Sequence, residues 1–336
     1  MKNNRAFHLI ALFAFASIYL ASCNSDKPTT TPESEVKKEV IENIAIPDFS
    51  SEKALDLVKK QVAFGPRVPN STGHQQCGDF LIKSLSETAD TVIVQKATVL
   101  SFDDKQLKIR NIIASFNTEN PSRVMLCAHW DTRPFSDQDA TVKTKPIPGA
   151  NDGGSGVAVL LEIARLLKEN KTKIGVDIIL FDAEDYGQPD AVMQREKADS
   201  YCLGSQYWAK NLHQFGYMPR YGILLDMVGG AGATFRQEEG SMEFAPSVVQ
   251  KVWNAAGRIG YGNYFLNEPT RAITDDHYYI NQIANIPTID IIHNDRSTAS
   301  NFYKHWHTLQ DSPENIDPAT LKAVGQTLLE VVYREK

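Results

Sequence analysis

Short runs rich in β-branched and other apolar residues recur along the chain, at 91–99, 109–116, 124–128, 176–181, 222–227 and 286–292. Runs of that length, bounded by polar or turn-forming residues, read as strands. Stretches of helical period lie among them at 156–168, 205–215, 246–257, 276–284 and 318–333. Two more helices precede the first strand. One follows Ser50-Ser51 and stops at Gly65-Pro66-Arg67-Val68-Pro69, where proline fixes φ and removes an amide donor, and the other covers 74–86. Parallel strands require such crossovers. The order therefore predicts an α/β fold: a single domain with a central mixed, largely parallel sheet flanked by helices on both faces.

In sheets of this kind ligands collect beyond the carboxyl ends of the strands. The run 124–128 leads into His129-Trp130-Asp131, and 176–181 leads into Asp182-Ala183-Glu184-Asp185. Asp226 stands near the end of 222–227. Gly149-Ala150-Asn151-Asp152-Gly153-Gly154 precedes a helix, and His305-Trp306-His307-Thr308 follows the last strand. Each signal alone is weak, since Asp152 could simply cap the helix after it. Their coincidence at one edge of a sheet is more informative. A catalytic zinc takes three protein ligands from His, Asp or Glu and keeps one open position. Asp152, Asp185 and His307 could supply that set, with Gly153-Gly154 permitting a strained backbone and close approach of a substrate. Glu184, adjacent to one proposed ligand, is the expected general acid/base.

His129-x-Asp131, Gly149-Ala150-Asn151-Asp152, Phe181-Asp182-Ala183-Glu184-Asp185, Leu225-Asp226, Asp275-Asp276-His277 and Trp306-His307-Thr308 together resemble the ordered motifs of the zinc aminopeptidase and glutaminyl cyclase superfamily. The resemblance runs from Phe64-Gly65-Pro66-Arg67 to the C-terminus. It implies one of two activities on peptide N-termini. In the aminopeptidases the position of Asp152 bridges two zinc ions, and those of His129 and Asp226 complete the second site. In the cyclases a single zinc sits at the positions of Asp152, Asp185 and His307. Trp306 resembles a substrate-binding cyclase tryptophan, and Asp275 resembles the acidic residue that cyclases place against the general acid/base. The implied activity is thus a bacterial glutaminyl cyclase of the animal-type branch, forming pyroglutamate from N-terminal Gln, with a metal-dependent aminopeptidase as the alternative and a non-enzymatic binding module as a third reading.

Some positions depart from that pattern. Glu184-Asp185 stands where typical relatives have Glu-Glu, and Gly187-Gln188-Pro189-Asp190 gives no match to a second cyclase tryptophan. Asp290 replaces a cyclase histidine, so neither it nor His293 is given a catalytic role. His74 and His213 are expected at the surface or in caps, and His277 is expected to orient Asp275 or Asp276. Cys77, Cys127 and Cys202 lack metal or redox spacing and read as small buried residues.

Lys2 and Arg5 precede an apolar run at 9–20. As a helix it would span about 18 Å, short of a bilayer core of roughly 30 Å. Leu20-Ala21-Ser22-Cys23 resembles a bacterial lipobox. Residues 1–22 are therefore expected to be a lipoprotein signal peptide, 23–45 a flexible tether lipidated at Cys23, and 46–336 the catalytic domain, exported, membrane-anchored and facing the periplasm. The formal net charge of −6 argues against nucleic acid as a partner.

Overall fold

Side chains alternate across a strand, so a strand covered on both faces must divide its apolar residues between two cores. The computed structural model describes residues 44–189 and 197–336, and its strands do this. They are β1 (Thr91–Leu100), β2 (Gln106–Phe116), β3 (Arg123–His129), β4 (Gly175–Phe181), β5 (Gly222–Asp226), β6 (Phe235–Glu238), β7 (Phe265–Thr270) and β8 (Thr288–Ile292). On β3, Val124, Leu126 and Ala128 enter one buried cluster, while Met125 and Cys127 enter another. On β4 the split is Val176, Ile178 and Leu180 against Ile179 and Phe181.

The main sheet runs β1-β2-β4-β3-β5-β8. β1 and β2 are antiparallel, as are β2 and β4, whereas β4, β3, β5 and β8 run parallel. This is the mixed, largely parallel sheet that the sequence predicts. The helices are α1 (Ser51–Val62), α2 (Thr72–Ser86), α3 (Gly154–Glu169), α4 (Leu203–Lys210), α5 (Glu239–Phe244), α6 (Pro246–Arg258), α7 (Asp276–Tyr279) and α8 (Pro318–Arg334). Residues of α1, α2, α3, α6 and α8 close the first core, and Trp208 and Ala209 of α4 with Ile280 and Ile286 close the second. The sheet is thus covered on both faces, and its parallel strands all deliver their carboxyl ends to one edge.

Four local expectations are corrected. The helix expected over 205–215 ends at Lys210, where Asn211 leaves helical dihedrals (φ −137°, ψ 64°) and the chain turns so that Leu212, His213 and Tyr217 pack on the second core and Trp208. The helix expected over 276–284 is one α turn followed by a π segment, Ile280–Ala284, stopped by Asn285 at φ 54°. The separate parallel pair β6 and β7 was not anticipated; both strands are short and β7 contains Pro269. His74 is not a surface residue. Its imidazole is buried, stacks on Trp130 with centroids 4.4 Å apart, and lies 2.9 Å from both carboxylate oxygens of Asp182. The expected signal peptide at 1–22, the lipidated Cys23 and all but the last two residues of the expected tether at 23–45 lie outside the described residues. Among the described residues no helix is long and apolar enough to cross a membrane.

Candidate active site

The carboxyl ends of β3, β4 and β5 carry His129, the Asp182-Ala183-Glu184-Asp185 turn and Asp226. The loop before α3 adds Asp152, and the segment after β8 adds His307. Asp152, Asp185 and His307 converge, with one donor atom from each lying within 4.8 Å of the others. His307 Nε2 is 3.1 Å from Asp185 Oδ1 and 3.7 Å from Asp152 Oδ2. Oδ2 of Asp152 and Oδ2 of Asp185 are buried and have no hydrogen-bond partner. Buried carboxylate oxygens are rarely left unpaired without a further ligand. Two carboxylates and one imidazole suit the three-ligand requirement of a catalytic zinc, so the donor set fits that ion.

Asp152 does not cap α3. The helix starts after Gly153, whose φ of 76° no side chain easily adopts and whose added Cβ would come within 2.6 Å of the Asp131 carbonyl oxygen. This turn leaves the Asp152 carboxyl free to point at His307 and His129. A second group, His129, Asp152 and Asp226, shares Asp152 with the first. His129 Nε2 lies 3.1 Å from Asp152 Oδ1 and 3.2 Å from Asp226 Oδ1.

The charges of the site shape one another. Burial works against ionisation of Asp152, but the hydrogen bond and charge of His129 hold its carboxyl below the usual range. Burial and then the Asp152 carboxylate push Asp185 up to about 6. Burial, opposed by His129 and reinforced by Asp275, pushes Asp226 up to about 7. Although burial disfavours its charge, His129 is raised well above the ordinary imidazole range by Asp131, Asp152 and Asp226. Glu184 is raised well above the usual carboxyl range, first by burial and then by the charges of Asp185, Asp275 and Asp276, with His129 opposing.

Glu184 lies close to Asp275, the proximity that the sequence resemblance implies; with Cys202 Sγ their donor atoms fall within 4.8 Å of one another. Both carboxyls face a cavity of about 620 Å³ whose wall includes Tyr201, Met227, Ile273, Ile292, Phe302 and Trp306. The Trp306 ring stacks on the His307 imidazole, with centroids 3.8 Å apart. His277 stands beside Asp275, the donor atoms of the two and of Asp290 lying within 4.8 Å of one another, but its nearest ion-pair partner is Glu238. Its Nε2 is 3.2 Å from Glu238 Oε2 and its Nδ1 is 4.0 Å from Asp290 Oδ2.

The family model for Peptidase family M28 matches residues 111–332, most of the described chain and every residue of the two clusters. The chain belongs to peptidase family M28. Solved structures similar to this family member include a glutaminyl cyclase of Bacteroides thetaiotaomicron bound to N-acetylhistamine, 50% identical over 87% of this chain and 100% of that one, with a TM-score of 0.85. A glutaminyl cyclase of Tannerella forsythia is 50% identical over 86% of this chain and 100% of that one, also with a TM-score of 0.85. A protein described as a leucine aminopeptidase precursor, again from Bacteroides thetaiotaomicron, is 49% identical over 87% and 100%, with a TM-score of 0.84. Aminopeptidase YwaD of Bacillus subtilis is 27% identical, matching 84% of this chain and 56% of its own length, so the chain spans little more than half of that relative.

Several residues that organise this M28 site escaped sequence reasoning. Asp131 accepts hydrogen bonds from the amides of Glu184 (2.9 Å) and Asp185 (3.2 Å), one to each carboxylate oxygen. Asp311 does the same for Asn151 (2.8 Å) and Asp152 (3.0 Å). Asp137 Oδ1 stands 3.2 Å from His307 Nδ1 and also accepts from Arg133, whose guanidinium donates to the Asp185 carbonyl oxygen at 3.1 Å. Asp131 sat inside a quoted motif without a role. Asp137 and Asp311 carried no signal beyond being acidic residues near glycine- or histidine-containing loops.

Proposed function

We propose that the chain is a zinc-dependent glutaminyl-peptide cyclotransferase, which turns the N-terminal Gln of a peptide or protein into pyroglutamate with release of ammonia. The observation that carries this reading is the meeting of Glu184 and Asp275 beside the Asp152, Asp185 and His307 cluster, in a cavity walled by Trp306. Identity of 50% to glutaminyl cyclases of known structure supports it.

The α-amine of the substrate attacks its own γ-carbonyl carbon. A new C–N bond closes the ring and the bond to the side-chain amide nitrogen breaks, so no water is consumed. The advantage comes from holding both groups in a near-attack geometry. Asp152, Asp185 and His307 would hold a zinc ion, which when bound would supply Lewis-acid polarisation of the γ-carbonyl. Glu184 takes the proton from the attacking amine and delivers it to the departing nitrogen as ammonia leaves. A carboxyl raised by burial and neighbouring carboxylates suits both directions of that transfer. Asp275 sustains the raised affinity of Glu184 for the proton, and Trp306 bounds the space for the folded-back side chain.

One zinc is the reading for the metal count. His129 Nε2 stands 3.1 Å from Asp152 Oδ1 and 3.2 Å from Asp226 Oδ1, so an imidazole already meets those carboxylates. The same trio would complete a second ion in the alternative, a metal-dependent aminopeptidase. Outside the domain, acylation of Cys23 would tether it to a membrane through residues 23–45, facing the periplasm. That proposal rests on Leu20-Ala21-Ser22-Cys23.

The deciding experiment incubates the purified domain with one Gln-initiated and one Leu-initiated peptide and weighs the products. Loss of ammonia from the first is expected, with the second unchanged. Release of free Leu with no cyclisation of the Gln peptide would install the aminopeptidase instead.

A further inference from the structure

Besides the Asp131 carboxylate that accepts from its amide, a neighbouring turn holds the backbone of Glu184 through its carbonyl side. The amide of Cys202 donates to the Glu184 carbonyl oxygen at 2.8 Å, and the amide of Leu203 donates to the Ala183 carbonyl oxygen at 3.0 Å. Ala183 and Cys202 both lie in the left-handed region, at φ 53° and φ 57°. Gly204 presses so closely on this turn that a Cβ there would stand 2.1 Å from the Asp182 carbonyl oxygen. The Cys202 carbonyl oxygen in turn accepts from the Gln206 amide at 3.0 Å and from Ser205 Oγ at 3.1 Å. The backbone of residue 202 is therefore fixed from both sides, and so is the direction of its side chain. That side chain is fully buried and its Sγ lies 3.3 Å from Glu184 Oε1.

Among the described residues, no other side chain donates a hydrogen bond to the Glu184 carboxyl. The nearest imidazole nitrogen, His129 Nδ1, is 3.8 Å from Oε2, beyond hydrogen-bond reach. Burial, with the nearby Glu184, Asp276 and Asp275 carboxylates, pushes the Cys202 thiol well above its ordinary range, which keeps the proton on sulfur. A cysteine here thus differs from Cys77 and Cys127, which share its burial but contact no acid of the site.

Resting on the reading of Glu184 as the proton-transfer group, we infer that Cys202 is a positioning residue, whose S–H donates to Glu184 Oε1 and fixes the carboxyl in the orientation that serves the substrate. A thiol is a weak donor. It restrains the rotamer through a contact long enough to leave the oxygen available as an acceptor of the substrate proton.

The test compares Cys202→Ala, Cys202→Ser and Glu184→Gln as full-length, zinc-loaded proteins on a Gln-initiated peptide. Cys202→Ala is expected to lower kcat by about five- to tenfold with KM within about twofold of wild type, as befits a contact that matters when the proton moves. Cys202→Ser, which restores a donor on a similar stem, is expected to bring kcat back to within about threefold of wild type. Zinc content and melting temperature report whether Cys202→Ala has disturbed the fold. A measurement independent of folding is the S–H infrared stretch, assigned by difference against Cys202→Ala. It is expected to shift in Glu184→Gln, because the acceptor loses its charge. Unchanged kcat in Cys202→Ala, equal losses in the Ala and Ser variants, or a stretch indifferent to Glu184→Gln would each overturn the inference. If Glu184→Gln itself remained active, the role given to Glu184 would fail. An inactive Glu184→Gln beside an unimpaired Cys202→Ala would sink the Cys202 role alone.

Discussion

Asp131 offers a sharp test of how the site is built, because both of its oxygens are committed. One accepts from the Glu184 amide at 2.9 Å and the other from the Asp185 amide at 3.2 Å. Asp131→Asn keeps the size but presents one oxygen and one NH₂ group. Whichever way the amide flips, one backbone N–H then faces a donor inside a fully buried pocket. Hydrogen bonds to charged groups contribute about 1.5–3 kcal/mol, and a stranded buried donor costs about 1–3 kcal/mol. These overlap, so the expected destabilisation is about 3 kcal/mol, a large share of typical domain stability. The same two amides set the directions of the proposed acid/base and of one proposed ligand. Zinc affinity is accordingly expected to fall by about 10–100-fold, the usual cost of losing an outer partner of a ligand. Urea unfolding of the zinc-free protein measures the first effect through its midpoint at unchanged m, and competition with a chelator measures the second. A variant whose stability stays within about 0.5 kcal/mol of wild type, the range usual for surface substitutions, and whose zinc affinity is unaltered, would refute the clamp.

Glu184→Gln is expected to retain zinc and substrate binding while kcat falls by about 10²–10⁴-fold, the range of general acid/base transfer; stopped-assay mass spectrometry with zinc analysis checks both. In Asp275→Asn a negative charge that raises the Glu184 carboxyl is removed, so that carboxyl ionises at lower pH. Since Glu184 must be ionised to accept a proton, the acidic limb of the kcat/KM profile should move to lower pH and the maximum rate should drop. A limb that stays put or moves up contradicts this. His307→Ala and Asp152→Ala should each lose zinc and activity, whereas His129→Ala should keep its zinc; equal loss in all three, read by metal analysis, would point to two coupled ions. Full-length protein should partition into detergent, and Cys23→Ala should not; recovery of wild type entirely in the aqueous phase would end the lipid-anchor proposal.

The sheet was legible because its signal is local and repeated. Val124 to Ala128 is apolar throughout and Val176 to Phe181 is apolar but for Asp177, close to the continuous apolar run that a strand covered on both faces calls for.

Where packing decides instead of pattern, the reading went astray. The helix over 205–215 lost its last turn, and the helix over 276–284 became an α turn with a π segment. Neither change follows from helical period, because both depend on what the segment meets on the sheet. His74 illustrates the same limit: one histidine near the start of a helix looks like a surface or capping residue until Asp182, far along the chain, is brought against it.

The site divides in the same way. Glu184, Asp185, His129 and Asp226 were legible because a strand end is a place the sequence can mark, and Asp152 because glycines follow it. The groups that aim them were not. Asp131, Asp137 and Asp311 act through backbone amides or the far nitrogen of an imidazole, partners that any residue type could present and that no spacing records. Cys202 was read as a small buried residue, which it is; what the reading lacked was the contact with Glu184, made across a turn whose left-handed residues carry no distinctive sequence. Donor atoms announce themselves by their chemistry, but the geometry that makes them a site is supplied by ordinary residues. For that reason substitutions at Asp131, Asp311 and Cys202, rather than further changes to the metal ligands, discriminate best between a site that merely contains the right groups and one whose fold holds them in working order.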